Sequence, residues 1–579
     1  MTSLFLSSLR QGAQYAALPS LVSGCLLTAH TATASSHGGN NPAYPTTKCD
    51  SAASRSPSLL RRRMTAVGRF SLLSETRSNP SIPVLVLALS GKPLRAQDFS
   101  RLYQQREMGE KHYRFRSVTK DATHFSLVPS QDFELPIQES LVYPLIYRRE
   151  LKAWITDLLL EPLDLSKSLW QVKTATGGNI GQSGAISTTS SSTEDDETTT
   201  TSVPLERHNQ LLDDNVESLL LFRAHHCMAD GVSLGALFVD FMDEREEMEE
   251  MLAGKIGDFK KNRKRKSWFQ KLLVMIYYWG WGSVKTFGYQ LYLYCANLKS
   301  TLSRSNPWKK LRRAYEAKSK SEGSSKRTLS WVSVCPVDEV KEVAEHFSTK
   351  KQKVTINDIF CSCISAAIAK LIQYHQAQNP ELSLRLPYMN LVMPVHMFGG
   401  VLLPGHSMGN KIGAMVSRIP GTNTTSCTER LMQVHNTLYA RKMTPAAVWS
   451  YLTAKAVGTV GFGGGSSGPI DSSAADNTFI PWAFEKSHAN ASVVVTNVRG
   501  PETMVHLDGR RIERFLGFLP LPPGIPVGMV VQSYANNLTL TIMAEPWAVP
   551  DAMGDLFLSW VVEEYDALRK QANIQPMKQ

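Results

Sequence analysis

This sequence predicts an α/β protein of two domains, with sheets covered by helices. Three observations carry that expectation. The 579 residues are enough for two sizeable cores, and 42% apolar with 20% charged residues is the balance of a globular chain. Apolar runs of strand length recur from residue 82 to residue 544. Between them lie segments whose apolar residues repeat at helical spacing.

In chain order, the segment to about Ser74 has Asp50 as its only acidic residue and is rich in Ser, Ala and Thr. Residues 1–79 are therefore expected to be a disordered or targeting segment outside the fold. Arg10, the apolar stretch 16–27 interrupted by Pro19, and Ala32-Thr33-Ala34 resemble a secretory signal. Arg61-Arg62-Arg63 suit an organelle transit peptide instead, and Met64 is a candidate start.

A first strand at 82–89 opens an N-terminal domain over 80–256. Residues 174–215, rich in Gly, Ser and Thr and carrying Glu194-Asp195-Asp196-Glu197, read as a disordered surface insertion in it. The run 219–222 suits a buried strand, and Val232 onward has helical spacing. A second domain, 328–579, begins with a strand at 329–335. Thr355 and Asp358 then have the spacing of a capping box. Behind them Ile356, Ile359, Phe360, Cys363, Ile364, Ala367, Ile368, Leu371 and Ile372 alternate three and one apart, the clearest helix in the chain. Strands follow at 390–396, 412–419 and 492–497. A pair at 527–533 and 538–544 is joined by a hairpin turn at Asn536-Asn537, and a final helix spans 551–571.

The excess of 63 Lys+Arg over 51 Asp+Glu gives a formal charge of +12. Much of it lies in the run 260–266 and in Lys309, Lys310, Arg312 and Arg313. These flank an aromatic apolar segment, 268–298, in a linker spanning 257–327, which favours a membrane surface over nucleic acid. The segment is long enough to cross a bilayer, but Lys271, Ser283, Lys285 and Gln290 interrupt it. Lys271, Tyr278, Lys285 and Tyr292 form one polar-tipped stripe, as in a helix lying among headgroups. A single crossing would also put the two halves on opposite faces, so monotopic attachment is expected; the alternative is an aromatic helix buried between the domains. Eight cysteines without metal-ligand spacing argue against a disulfide framework, and no metal is expected. The Asn-x-Ser/Thr strings at Asn423, Asn490 and Asn537 do not establish glycosylation.

His225-His226-Cys227-Met228-Ala229-Asp230-Gly231 lies between the strand at 219–222 and the following helix. An imidazole there can take a proton from a hydroxyl nucleophile and return it to a leaving thiolate. Asp230 can fix the ring's tautomer or brace the loop, and Gly231 permits a turn with positive φ. The pair reads equally well as structural. Metal ligation fits less well, because Cys227 and Asp230 crowd one turn. Asn357, in the first turn of its helix, is either an oxyanion donor or a second capping residue.

With these pieces placed, the chain resembles the bifunctional wax ester synthase/diacylglycerol acyltransferase family, among the CoA-dependent acyltransferases that share a His-x-x-x-Asp-Gly motif. The likeness is collinear, from about Pro80 to Leu568. Pro162-Leu163-Asp164 with Leu169-Trp170 looks like the family's Pro-Leu-Trp region, and residues 225–231 are the full motif. Asn357-Asp358, Gly409-Asn410-Lys411-Ile412 and Asn497-Val498-Arg499-Gly500-Pro501 look like later landmarks.

The resemblance implies two chloramphenicol acetyltransferase-like domains, each a mixed sheet covered by helices, with the active-site tunnel between them. It makes His226 the base, His225 a helper, Asp230 structural with Gly231 beside it, and Asn357 the oxyanion ligand. It gives Pro162, Leu163, Asp164, Trp170, Asn410 and Asn497 to the substrate. Acyl-CoA would be a co-substrate rather than a cofactor, diacylglycerol or a long-chain alcohol the acceptor, and a membrane surface a partner, with no nucleic acid. The location implied is a membrane, of the endoplasmic reticulum or, from the N-terminal segment, a plastid. The chain departs from the pattern in its long insertion, in Trp170 following Leu169 without a proline, and in its N-terminus. Other readings are an alcohol acyltransferase with a different acceptor, whose Asp-Phe-Gly-Trp-Gly string is absent, and a membrane-bound lipid carrier.

Overall fold

The computed structural model describes residues 61–76, 79–140, 148–176, 216–251, 268–302, 306–318, 327–397, 409–424, 426–460, 480, 484–485, 487–488 and 490–577. The expectations for residues 1–60, for the insertion beyond 176 and for the basic run 260–266 lie outside them.

The first half holds β1 (Arg61–Arg63), α1 (Ala66–Leu73), β2 (Val84–Ser90), α2 (Ala96–Gln105), α3 (Met108–Lys111), β3 (Ser117–Val118), β4 (His124–Leu127), β5 (Ile137–Glu139), α4 (Arg148–Leu160), β6 (Trp170–Thr176), β7 (Val216–Ala224) and α5 (Gly231–Val239). Next come α6 (Trp268–Trp279), α7 (Trp281–Leu302), α8 (Pro307–Lys318), β8 (Thr328–Pro336), α9 (Val337–His346), α10 (Ile356–Gln378), β9 (Tyr388–His396), β10 (Ile412–Pro420), α11 (Cys427–Lys442) and α12 (Ala446–Val460). The chain closes with β11 (Val493–Arg499), β12 (His506–Leu507), β13 (Arg510–Phe518), β14 (Val527–Tyr534), β15 (Asn537–Ala544) and α13 (Gly554–Gln571).

The expected α/β class holds, with two six-stranded mixed sheets, β12-β13-β2-β7-β6-β5 and β10-β9-β11-β14-β15-β8. In β2 and β7 successive side chains go to opposite faces. Leu87, Leu89, Leu220 and Phe222 pack with α2 and α5, while Val86, Ala88, Leu219 and Leu221 pack with α4 and with Leu329 and Trp331 of β8. Covering on both faces is why these strands read as unbroken apolar runs. The second sheet lies on α10, α11 and α13 in one large core. Among the described residues α10 alone is long and apolar enough to cross a membrane, and it is buried inside that core, with Thr355 and Asp358 forming the expected capping box.

Three expectations need correcting. The fold takes in residues before 80: Thr65 caps α1 by accepting the Gly68 N–H at 3.2 Å, and Met64 and Leu72 are buried. The sheets also do not divide at residue 328. Strand β13, from the C-terminal half, pairs antiparallel with β2 from Arg511 opposite Ser90 to Phe518 opposite Val84, and so completes the first sheet. The aromatic segment, finally, is two helices broken at Gly280, not one. Tyr278 of the expected polar stripe points inward and donates its hydroxyl to Thr444 O at 3.2 Å, whereas Lys285 and Tyr292 are exposed.

Candidate active site

The motif loop begins where β7 leaves the sheet. The His225 N–H donates to Leu169 O beside β6 at 2.8 Å, and the His226 N–H donates to Ser81 O before β2 at 2.7 Å. The loop ends at Asp230, which is fully buried. Its Oδ1 caps α5 by accepting the Ser233 N–H at 2.8 Å, and its Oδ2 accepts the Lys411 N–H at 2.7 Å. One carboxylate thus ties the motif helix to the start of β10 across the seam between the halves, with His396 Nε2 3.8 Å away. Arg114 donates to Met228 O and Ser233 Oγ to Gly409 O, which fasten the same loop. Gly231 is the first residue of α5 and is not among the residues with positive φ, so the turn does not need it for that reason.

His226 is half-buried and faces Asn410. The Asn410 Nδ2 donates to the carbonyl oxygen of His226 at 2.7 Å, and a carbonyl can only accept, so the orientation of the amide is fixed. Asn410 Oδ1, 2.9 Å from His226 Nδ1, must then accept from that nitrogen. The proton sits on Nδ1 and the lone pair on Nε2. Burial lowers the pKa of His226 below its ordinary value, with Asp230 and the Asn410 bond opposing, so the neutral ring prevails at neutral pH. The result is a neutral imidazole of fixed tautomer. Asn410, which the resemblance gave to the substrate, acts on the histidine.

His225 points the other way, toward Glu75. Asn357 and Asn497 meet: the Asn497 Nδ2 donates to Asn357 Oδ1 at 2.6 Å. Asp358 is spent on structure, since it closes the capping box and lies 3.0 Å from His435 Nδ1 and 3.3 Å from Lys442 Nζ. Burial would raise its pKa, but His435 and Lys442 outweigh it and hold the carboxyl below its usual range.

Trp170 is not placed for substrate. Its ring is fully buried, Nε1 donates to Phe115 O at 2.8 Å, and it stacks between Tyr103 and Phe222. Pro162 and Asp164 lie exposed in the turn between α4 and β6, where Asp164 accepts from the Ser166 N–H and hydroxyl at 3.1 and 2.6 Å, with Leu163 half-buried beside them.

Next to Asn410 lies a cavity of about 280 Å³ lined by Thr65, Ala66, Val67, Gly409, Asn410, Lys411, Tyr451 and Lys455. It joins the N-terminal segment, the start of β10 and α12. Sequence reasoning missed the part of Thr65 to Val67; Thr65 ahead of the apolar-periodic run 66–73 was the available signal. Among the described residues no group of three His, Cys, Asp or Glu side chains could hold a metal ion.

A histidine of fixed tautomer thus lies at the seam of two mixed sheets, followed by the buried brace Asp230, within the sequence pattern His-x-x-x-Asp-Gly. Residues 408–568 match the profile of the WS/DGAT C-terminal domain, so this chain carries that domain and the match supports the wax ester synthase/diacylglycerol acyltransferase family. In overall structure the chain is similar to a wax ester synthase/diacylglycerol acyltransferase from Marinobacter aquaeolei VT8, at 13% identity and TM-score 0.49, covering 89% of this chain and 100% of that one. It is also similar to the trichothecene 15-O-acetyltransferase TRI3 from Fusarium sporotrichioides, at 12% identity and TM-score 0.47, covering 88% and 95%. A third similar structure is the EpoB cyclization-docking bidomain from Sorangium cellulosum, at 12% identity and TM-score 0.45, covering 90% and 87%. No curated protein matches the chain by sequence.

Proposed function

We propose that this acyltransferase moves a long-chain acyl group from acyl-CoA to a lipid hydroxyl, that of diacylglycerol or of a long-chain alcohol, with His226 as general base. The observation that carries the reading is the Asn410 clamp, which leaves Nε2 of a neutral imidazole free to take a proton. Nε2 takes the hydroxyl proton as the oxygen attacks the thioester carbonyl. The tetrahedral oxyanion collapses, the C–S bond breaks, and the imidazolium returns its proton to the CoA thiolate. Asn357 is the proposed oxyanion donor: with its Oδ1 occupied by Asn497, its amide protons remain to be aimed, and one well-aimed donor contributes about 3 kcal/mol.

A membrane surface is the proposed source of the acceptor. Nine of the fifteen large apolar side chains exposed among the described residues lie on α6 and α7. Tyr277, Trp281, Val284, Phe287, Leu291 and Tyr294 recur three and four apart, one continuous stripe, with Lys285 over the Tyr277 and Trp281 rings. Behind the stripe, Trp449 of α12 packs on Trp279 and Phe287 and donates to Ser283 Oγ at 2.9 Å. The same helix supplies Tyr451 and Lys455 to the cavity beside Asn410.

The test is thiol release from palmitoyl-CoA with hexadecanol or diacylglycerol offered separately, lipid products being resolved chromatographically. Release should depend on acceptor and fall about 10²- to 10⁴-fold in His226→Ala. Equal, acceptor-independent release by both proteins would sink the reading.

A further inference from the structure

The segment that composition sets aside as a leader lies against the motif loop. A Cβ added at Gly68 of α1 would come within 2.8 Å of Cys227 O, so this helix sits directly on the loop. Just past α1, Glu75 Oε2 lies 2.9 Å from His225 Nε2. His225 Nδ1 accepts the Cys227 N–H at 3.0 Å, which puts the ring proton on Nε2, donating to Glu75. The same Oε2 accepts the Ser81 N–H at 3.2 Å, and Ser81 O receives the N–H of His226. Glu75 therefore reaches the base by two routes, through the ring of its neighbour and through the backbone that holds it.

We propose that Glu75 is a positioning residue for acyl transfer, fixing the His225 ring and with it the placement of His226 Nε2. The second half of this statement rests on the acyltransfer reading above. Burial would raise the pKa of Glu75, but His225 and the Ser81 N–H outweigh it and hold the carboxyl below its usual range, so the acceptor is a carboxylate at neutral pH. The His225 ring is almost fully buried while Glu75 is partly exposed, so removing the carboxylate takes away the acceptor of Nε2–H and opens that edge of the ring to solvent. A misplacement of about 1 Å at a base can cost about 10²-fold in rate. The segment carrying α1 and Glu75 thus supports the motif loop, and its loss would remove that support.

The experiment compares full-length wild type, Glu75→Ala and Glu75→Gln by two readouts. The first is modification by diethyl pyrocarbonate, followed at the 225–226 peptide by mass spectrometry, which needs no turnover. Wild type should label at His226 and be protected at His225; Glu75→Ala should label His225 at least about tenfold faster, and Glu75→Gln, which keeps an acceptor, should restore protection. The second is acceptor-dependent thiol release: kcat should fall about 10- to 100-fold in Glu75→Ala with KM within about twofold, and recover to within about threefold in Glu75→Gln. Wild type lacking acceptor-dependent release overturns the acyltransfer reading alone, and labelling then decides the pairing by itself. Equal His225 labelling in wild type and Glu75→Ala overturns the proposal, as does unchanged kcat. So does a loss of activity that follows a lowered melting temperature equally in both variants.

Discussion

At the scale of single residues, the site works through bonds that cross long stretches of chain. His226 and Asn410 are 184 positions apart, and each bond between them can be tested. In Asn410→Ala the ring loses the acceptor that selects its tautomer, so kcat should fall about 10²-fold while the melting temperature changes little. The pH profile supplies a check of sign. Burial lowers the pKa of His226, so the base form persists to lower pH and the acid limb of kcat/KM should have its midpoint below the ordinary histidine value of about 6.5. The Asn410 bond works to raise that pKa, so the variant's midpoint should lie lower still. A wild-type midpoint at or above 6.5 would contradict a neutral, buried base. The motif and its place between a strand and a helix are legible in the sequence, because a His-His pair at the end of an apolar strand run carries its own signal. The tautomer is not legible, because no local pattern says which distant amide meets which ring nitrogen. Trp170 misleads for the same reason: its string looks functional, while packing between Tyr103 and Phe222 takes it into the core.

At the scale of elements, α10 is legible because cap and periodicity agree, and the hairpin of β14 and β15 because two strand runs flank a turn signal, although the turn lies one residue earlier than expected, at Ala535-Asn536, both at positive φ, with Asn537 already paired to Tyr534. The segment 268–298 is legible only as aromatic and apolar. Its break at Gly280 and the inward turn of Tyr278 depend on what packs behind it, and so the exposed stripe runs through Trp281, Phe287 and Leu291 instead. That difference decides where a membrane test must cut. Phe287→Glu with Leu291→Glu places two charges in the stripe, where both side chains are exposed and Leu291 stands outside the large core of the second sheet. In vesicle flotation with anionic liposomes, the variant should bind at least about tenfold more weakly, since each exposed large apolar group inserted contributes about 1.5–3 kcal/mol. Thiol release from detergent-dispersed substrates should remain near wild type. Undiminished flotation would place the membrane-binding face elsewhere.

At the scale of the whole molecule, the two halves are not independent bodies, although composition and the linker 257–327 make them look so. Thr541 Oγ1 donates to Gly517 O at 2.6 Å, the Gly517 N–H donates to Gln532 Oε1 at 2.7 Å, and Lys152 pairs with Asp555 at 2.7 Å, which tie the first sheet and α4 to the second sheet and α13. The N-terminal segment adds to these ties, for Arg69 donates to Gly458 O at the end of α12 at 3.3 Å, and a Cβ at Gly458 would lie 1.7 Å from Ala66 O. Strand order alone conceals this, because antiparallel pairing of 84–90 with 510–518 has no local signature. The consequence is measurable in a fragment ending at residue 256. Such a fragment lacks Ile512, Leu516 and Phe518, all buried at 2% exposure or less, and at about 1.5–3 kcal/mol each their loss removes about 5–9 kcal/mol. That is comparable to the whole stability of a domain, about 5–15 kcal/mol, and it also leaves β2 as a bare apolar edge. The fragment alone should therefore unfold without a cooperative transition or aggregate. Co-expressed with residues 257–579 it should be recovered as a stoichiometric complex that melts in one transition. A monomeric, cooperatively unfolding fragment would mean that the first sheet stands without β13, and that the seam holding His226 against Asn410 joins two domains rather than running through one.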